Sequence, residues 1–172
     1  MRQSLKFALE RGPIHTAVEI GVHKGKNAFD MLEAGVEKLY LVDSYPVYTE
    51  MWKTGLTNIT QEMQDEWKKQ MFQFLSPYGD KFVFLEMTSK EASKQLNDEY
   101  DYIYIDADHS YRHVKEDLEL WYPKVRKGGV FAGHDYEKTY IIDVKTAVGE
   151  FIKKNNFDLY TSSKDGDWWI VK

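Results

Sequence analysis

Residues 15–25 read His15-Thr16-Ala17-Val18-Glu19-Ile20-Gly21-Val22-His23-Lys24-Gly25, and this stretch decides the fold. A β-prone run, His15–Ile20, passes into an E-x-G-x-x-x-G turn, and the residues that follow, Lys26–Glu33, read as a helix. Glycines in such a turn let a ligand press against the backbone. In open α/β sheets the ligand lies beyond the carboxyl ends of the strands, where strand order reverses, so a nucleotide is expected at this turn. The dinucleotide fingerprint G-x-G-x-x-G is not met, because position 23 is His and position 26 is Lys. That fingerprint seats a pyrophosphate on the helix N-terminus, whereas a nucleoside without phosphate needs only the close turn. Glu19, just before the turn, repels phosphate and attracts an ammonium group.

Outward from this turn, short β-rich runs alternate with helical segments, the pattern of a parallel sheet covered on both faces. The expected strands are His15–Ile20, Lys38–Asp43, Lys81–Glu86, Asp101–Asp106, Gly129–Gly133, Phe157–Thr161 and Asp167–Val171. Helices are expected at Lys26–Glu33, Ile59–Leu75, Lys90–Leu96, Tyr111–Tyr122 and Asp143–Asn155. Ile59, Met63, Trp67, Met71 and Phe74 form an apolar stripe expected to be core, with Asn58 as its N-cap. Tyr111, Val114, Leu118 and Trp121 form a second stripe. Only Ser162 to Gly166 separate the last two strands, and Lys-Asp-Gly-Asp is a turn signal, so they read as a hairpin with one antiparallel strand.

The 172 residues make one domain, 1–172, at roughly 150 residues per domain. The chain has 23 basic and 28 acidic residues, net −5, which gives no electrostatic basis for nucleic-acid binding. It contains no cysteine, which excludes disulfides, thiolate nucleophiles and Cys-based zinc sites and fits a cytoplasmic address. The stretch 1–13, MRQSLKFALERGP, is broken by Lys6, Glu10 and Arg11, and no later run is long enough to span a bilayer. Neither a leader nor a membrane association is expected.

Asp43 ends the second strand 22 residues after Gly21, about the spacing at which a carboxylate meets ribose hydroxyls. Met87-Thr88-Ser89 follow the third strand and are suited to line an adenine, while Ser89 also reads as an N-cap. The densest polar cluster is Asp106-Ala107-Asp108-His109-Ser110-Tyr111 after strand four, with Gly133-His134-Asp135-Tyr136 after strand five. Carboxylates and histidines at the ends of neighbouring strands converge on one crevice. Asp108 and Ser110 read equally as N-caps of the next helix.

These segments carry a resemblance. The chain resembles the class I S-adenosylmethionine-dependent methyltransferases, in particular small members with an IDADHSY segment, here 105–111, followed by GG-x-x-x-GHDY, here 128–136. The resemblance implies a single Rossmann-like α/β domain with a seven-stranded, mostly parallel sheet in the order 3-2-1-4-5-7-6, strand seven antiparallel, and helices on both faces. It implies that Glu19, Gly21 and Gly25 frame the methionine part of S-adenosylmethionine, that Asp43 takes the ribose, and that Thr88 and Ser89 lie by the adenine. Asp106 falls where related O-methyltransferases keep a contact to the cofactor's amino group or a metal ligand. Catechol-type relatives place Asp-Asn after strand five, and here the pair is Asp135-Tyr136.

Methyl transfer from a sulfonium is an in-line displacement, so a hydroxyl acceptor must be aligned and must lose its proton. Two routes are open: Mg²⁺ or Mn²⁺ held by Asp106 and Asp135, or His109 or His134 as general base. The expected acceptor is a hydroxylated small molecule such as a sugar, a glycan or a natural-product-like compound. Its specificity would come from the loops Ser44–Thr57, where Tyr45, Tyr48 and Trp52 read as a stacking face or equally as cover for the core, and His134–Ile142. A partner enzyme or a homo-oligomer could complete the pocket. Two alternatives compete: a metal-dependent hydrolase built on the Asp/His cluster, which needs neither the turn nor Asp43, and a catalytically silent nucleoside-binding module.

Overall fold

The computed structural model describes residues 1–47, 59–136 and 142–172. Seven strands form one sheet: β1 (Thr16–Ile20), β2 (Lys38–Val42), β3 (Phe82–Leu85), β4 (Tyr100–Ile105), β5 (Val125–Gly133), β6 (Tyr160–Ser162) and β7 (Asp167–Val171). Their order is β3-β2-β1-β4-β5-β7-β6. The first five pair in parallel, and β7 runs antiparallel to both β5 and β6. The strand order reverses between β1 and β4, so the crevice expected for a ligand opens beyond Ile20 and Ile105.

Among the described residues, six α-helices cover the sheet: α1 (Gln3–Glu10), α2 (Lys26–Glu33), α3 (Gln61–Leu75), α4 (Ser89–Gln95), α5 (Tyr111–Trp121) and α6 (Ile142–Asn155). Period-two alternation divides the strand residues between two cores. Ala17, Leu39, Leu41, Tyr102, Tyr104 and Trp169 pack toward α1, α2 and α3. Val18, Ile20, Ile103, Ile105, Phe131 and Trp168 pack toward α4, α5 and α6. All six residues of β4 are buried, as expected for the central strand of a sheet covered on both faces.

Several sequence expectations change. Helix α1 was not expected; it is fastened by Ser4, whose hydroxyl donates to Oδ2 of the fully buried Asp167 at 2.5 Å. Helix α3 starts at Gln61 and is capped by Thr60, whose Oγ1 accepts from the Met63 amide at 3.3 Å; Asn58 lies outside the described residues. The α3 stripe is only partly core. Met71 is fully buried, but Met63 is 40% and Phe74 48% exposed. Steps of four residues advance about 40° beyond a full turn, so the stripe winds off the buried face. Strand six is shorter than expected, and Phe157 instead packs its ring on Tyr122 at 4.9 Å between centroids.

Candidate active site

A cleft of about 720 Å³ opens at the carboxyl ends of the strands and is walled by residues from the β1 turn, the end of β2, α4 and α5. Its floor is the β1 turn, and Asp43 organises it. Oδ2 of Asp43 accepts the backbone amides of Val22 at 2.8 Å and His23 at 3.0 Å, and Oδ1 accepts that of Tyr45 at 2.8 Å. The Tyr45 hydroxyl donates to the His23 carbonyl at 2.5 Å. Tyr45 is 3% exposed, so it supports the turn and is not a stacking face for an acceptor; Tyr48 and Trp52 lie outside the described residues.

Gly21 has φ +87°, and a Cβ there would lie 2.1 Å from the Asp106 carbonyl oxygen. The space freed by the missing side chain is therefore taken first by the β4 backbone. This close approach brings the β1 turn and Asp106 to the same cleft. Gly25, at φ +75°, caps α2, and a Cβ there would meet Met71 on α3.

Glu19 is 2% exposed at the cleft's inner end. Its Oε1 accepts from the Asn27 side chain at 2.9 Å, and its Oε2 is buried with no hydrogen-bond partner among the described residues. Burial, reinforced by the charge of Asp106 and only partly offset by Asn27, pushes the carboxyl pKa up to about 8. An orphaned carboxylate oxygen facing a cleft is a receptor for a cationic donor. Asn27 was not singled out from sequence; the signal was an amide in the first turn of α2, next to a glycine turn.

Thr88 and Ser89 line the other end of the cleft, with their roles redistributed. The cap is Thr88, not Ser89. Thr88 and Glu91 form a reciprocal capping box at the start of α4. The Ser89 hydroxyl donates to Oδ1 of Asp117 and accepts from Trp121 Nε1 at 2.7 Å. Ser110 is the N-cap residue of α5, with no side-chain capping bond. Its Oγ pairs with His113 Nδ1 at 2.8 Å, and Asp108 Oδ1 accepts the Ser110 amide at 2.8 Å.

The four polar residues at the ends of β4 and β5 do converge. His134 Nδ1 lies 2.7 Å from Asp135 Oδ1 and 3.7 Å from Asp106 Oδ1. His109 Nε2 lies 3.3 Å from both Asp106 Oδ1 and Asp135 Oδ2. Asp135 is 2% exposed and holds φ +63°, the left-handed region in which Asp and Asn are tolerated best after glycine. Burial lowers the proton affinity of His134, but its hydrogen bond to Asp135 and the charge of Asp106 outweigh this and raise the pKa. Its other nitrogen, Nε2, sits 2.6 Å from the Asp165 carbonyl, which fixes the proton on Nε2 and turns Nδ1 toward the carboxylates.

Ligand atoms from Asp106, His134 and Asp135 all lie within 4.8 Å of one another, so these residues fit a divalent cation. The outer hydrogen bond on the imidazole is the usual support of a metal-binding histidine. Arg2, also missed from sequence, reaches in from the start of α1. Its guanidinium lies 3.6 Å from Asp106 Oδ2 and 3.4 Å from Asp167 Oδ1, donates to the Asp165 carbonyl at 3.2 Å, and stacks over Tyr104.

No helix among the described residues is long and apolar enough to cross a membrane. None of the curated proteins compared with the chain matches it. Among solved structures, the O-methyltransferase NovP is 20% identical, with TM-score 0.69, over 99% of this chain and 76% of its own. The calicheamicin methyltransferase CalS11 is 12% identical, with TM-score 0.71, over 98% and 77%. An O-methyltransferase from Bacillus cereus, solved in complex with SAH, is 11% identical, with TM-score 0.66, over 98% and 78%. These similarities share the fold. The family model described as "Methyltransferase domain" matches residues 18–136, a span holding the β1 turn, Asp43, Asp106 and Asp135. The chain thus belongs to the methyltransferase domain family, as a class I S-adenosylmethionine-dependent methyltransferase.

Proposed function

We propose that the chain moves the methyl group of S-adenosylmethionine to a hydroxyl oxygen of a small hydroxylated acceptor, a sugar or a natural-product-like molecule. The observation that carries this reading is the convergence of Asp106, His134 and Asp135 on one point beside the cleft. Proteins of the same fold include a TDP-rhamnose 3'-O-methyltransferase, which supports a sugar acceptor.

The residues divide the work. The orphaned Oε2 of Glu19 receives the ammonium of the methionine part, with Gly21 and Gly25 framing it, and Asp43 takes the ribose from the turn it holds. Thr88 and Ser89 lie by the adenine. As the acceptor oxygen bonds to the methyl carbon, the carbon–sulfur bond breaks and its electron pair stays on sulfur, while the hydroxyl proton leaves. Asp106, Asp135 and His134 would hold Mg²⁺ or Mn²⁺, which would lower the pKa of the hydroxyl. His109, whose Nε2 stands 3.3 Å from Asp106 Oδ1 and Asp135 Oδ2, is the imidazole assigned to the proton. In the competing histidine route no cation is used. A metal-dependent hydrolase would leave the orphaned carboxylate oxygen of Glu19 without a purpose.

The test is a thermal-shift and calorimetric comparison of S-adenosylmethionine, NAD and ATP with and without Mg²⁺, followed by methyl incorporation into a panel of hydroxylated sugars and phenols. A ligand at 100 times its Kd stabilises by about 2.7 kcal/mol. NAD binding more tightly than S-adenosylmethionine overturns the proposal, and the absence of turnover on any hydroxyl acceptor favours the silent module.

A further inference from the structure

The cluster of Asp106, His134 and Asp135 has a neighbour from a third element. Arg2, the N-cap residue of α1, lines the same cleft. The two oxygens of Asp106 face different partners. Oδ1 stands 3.3 Å from His109 Nε2 and 3.7 Å from His134 Nδ1, while Oδ2 stands 3.6 Å from Arg2 Nη2. The other arm of the guanidinium, Nη1, donates to the Asp165 carbonyl at 3.2 Å, the same oxygen that lies 2.6 Å from His134 Nε2. One side chain thus touches a carboxylate carried by β4 and the support of an imidazole carried by β5.

The guanidinium is itself firmly placed. Nη1 lies 3.4 Å from Oδ1 of the fully buried Asp167, which also accepts from the Tyr104 hydroxyl at 2.8 Å. The Gln3 amide donates to Asp165 Oδ2 at 2.8 Å, so the turn that offers the shared carbonyl is tied to the start of α1. We propose that Arg2 is a positioning residue for methyl transfer: by holding Oδ2 of Asp106 and the Asp165 carbonyl, it presents Oδ1 of Asp106 and Nδ1 of His134 to one divalent cation. The assignment rests on the cation route given under Proposed function.

Two effects oppose each other here. A positive charge beside Asp106 repels a second cation, so charge alone predicts that losing Arg2 tightens the site. The charge of Arg2 is matched by Asp167, however, which leaves little net field, and its planar fork spans two acceptors in a way that a point charge cannot. Orientation outweighs repulsion, because outer partners of metal ligands are worth about 10–100-fold in metal affinity.

Calorimetry on the whole chain with Mn²⁺, and separately with S-adenosylhomocysteine, tests the assignment. Arg2→Met keeps an aliphatic stem over Tyr104 and should weaken Mn²⁺ binding by about 10-fold or more, with S-adenosylhomocysteine affinity within about twofold. Arg2→Lys keeps the charge beside Asp167, so it should melt near the wild type and still bind Mn²⁺ at least about fivefold more weakly; if Arg2→Met fails to fold, this variant decides. Ser4→Ala loosens the same end of α1 without touching Asp106 and should leave Mn²⁺ affinity within about twofold. The assignment is overturned if either Arg2 variant binds Mn²⁺ as tightly as the wild type or more tightly. It is equally overturned if Ser4→Ala loses as much as Arg2→Met, which is the mark of helix docking alone. A wild type that binds S-adenosylhomocysteine but no Mn²⁺ removes the cation route and this assignment together, and leaves the cofactor reading standing.

Discussion

The Asn27 side-chain amide donates to Oε1 of Glu19 at 2.9 Å and leaves Oε2 of the same carboxylate buried without a partner among the described residues. Half of this carboxylate is oriented by α2 and half is held toward the cleft.

One expectation follows for pH. The folded-state pKa of Glu19, about 8, lies above its ordinary value of 4.5, so between these limits the folded chain keeps a proton that the unfolded chain has lost. Stability contributed at low pH is therefore lost as pH rises through this window, at no more than about 1.4 kcal/mol per pH unit. Glu19→Gln should melt higher than the wild type, by a margin that grows from pH 5 to pH 8 and then levels. A constant margin would deny the buried carboxyl. Cofactor binding below pH 8 should release a proton, readable as a buffer-dependent enthalpy in calorimetry.

Asp43 couples binding to folding. Removing it strands the amides of Val22, His23 and Tyr45, so Asp43→Ala should cost about 2–3 kcal/mol in denaturant unfolding as well as weakening S-adenosylmethionine. Loss of affinity with unchanged stability would show that the turn stands without it.

Gly21→Ala should damage the fold before it damages the ligand. The added Cβ meets the Asp106 carbonyl at 2.1 Å, and φ +87° is strained for any side chain. A loss of about 2–4 kcal/mol, or failure to accumulate as folded protein, is expected in melting curves. An unaffected melting temperature would contradict the close approach of β1 and β4.

Asp135→Asn tests the cation route at a position whose φ of +63° Asn accepts. Turnover should fall by about 100-fold, with cofactor affinity within about twofold, and chelation by EDTA should abolish activity that Mg²⁺ or Mn²⁺ restores. Activity that survives both EDTA and Asp135→Asn but is lost in His109→Ala would assign the proton to a cation-free histidine.

The parts legible in the sequence were those that local pattern controls. Strand ends followed by Gly21, Asp43, Asp106 and Asp135 announce themselves because a parallel sheet gathers its carboxyl ends on one edge. Helix boundaries moved by a few residues where a cap such as Thr60 competed with a neighbour. Arg2 was not legible, because its place depends on α1 docking against β7, a contact between residues far apart in the chain. Asp117 could have been seen. An acidic residue three positions after Val114 and four before Trp121 breaks the apolar face of α5, and such a break marks a buried polar side chain.

The guanidinium of Arg2 and Nε2 of His134 both reach the carbonyl oxygen of Asp165, in the turn between β6 and β7. That turn lies beyond the residues matched by the family model, as does Arg2. A fragment cut to residues 18–136 would hold Glu19, Asp43, Asp106, His134 and Asp135, yet would lack the oxygen that selects the tautomer of His134. The polar cluster of this domain is therefore completed by its last hairpin: until β7 slots in beside β5, the His134 ring is held from the Asp135 side alone.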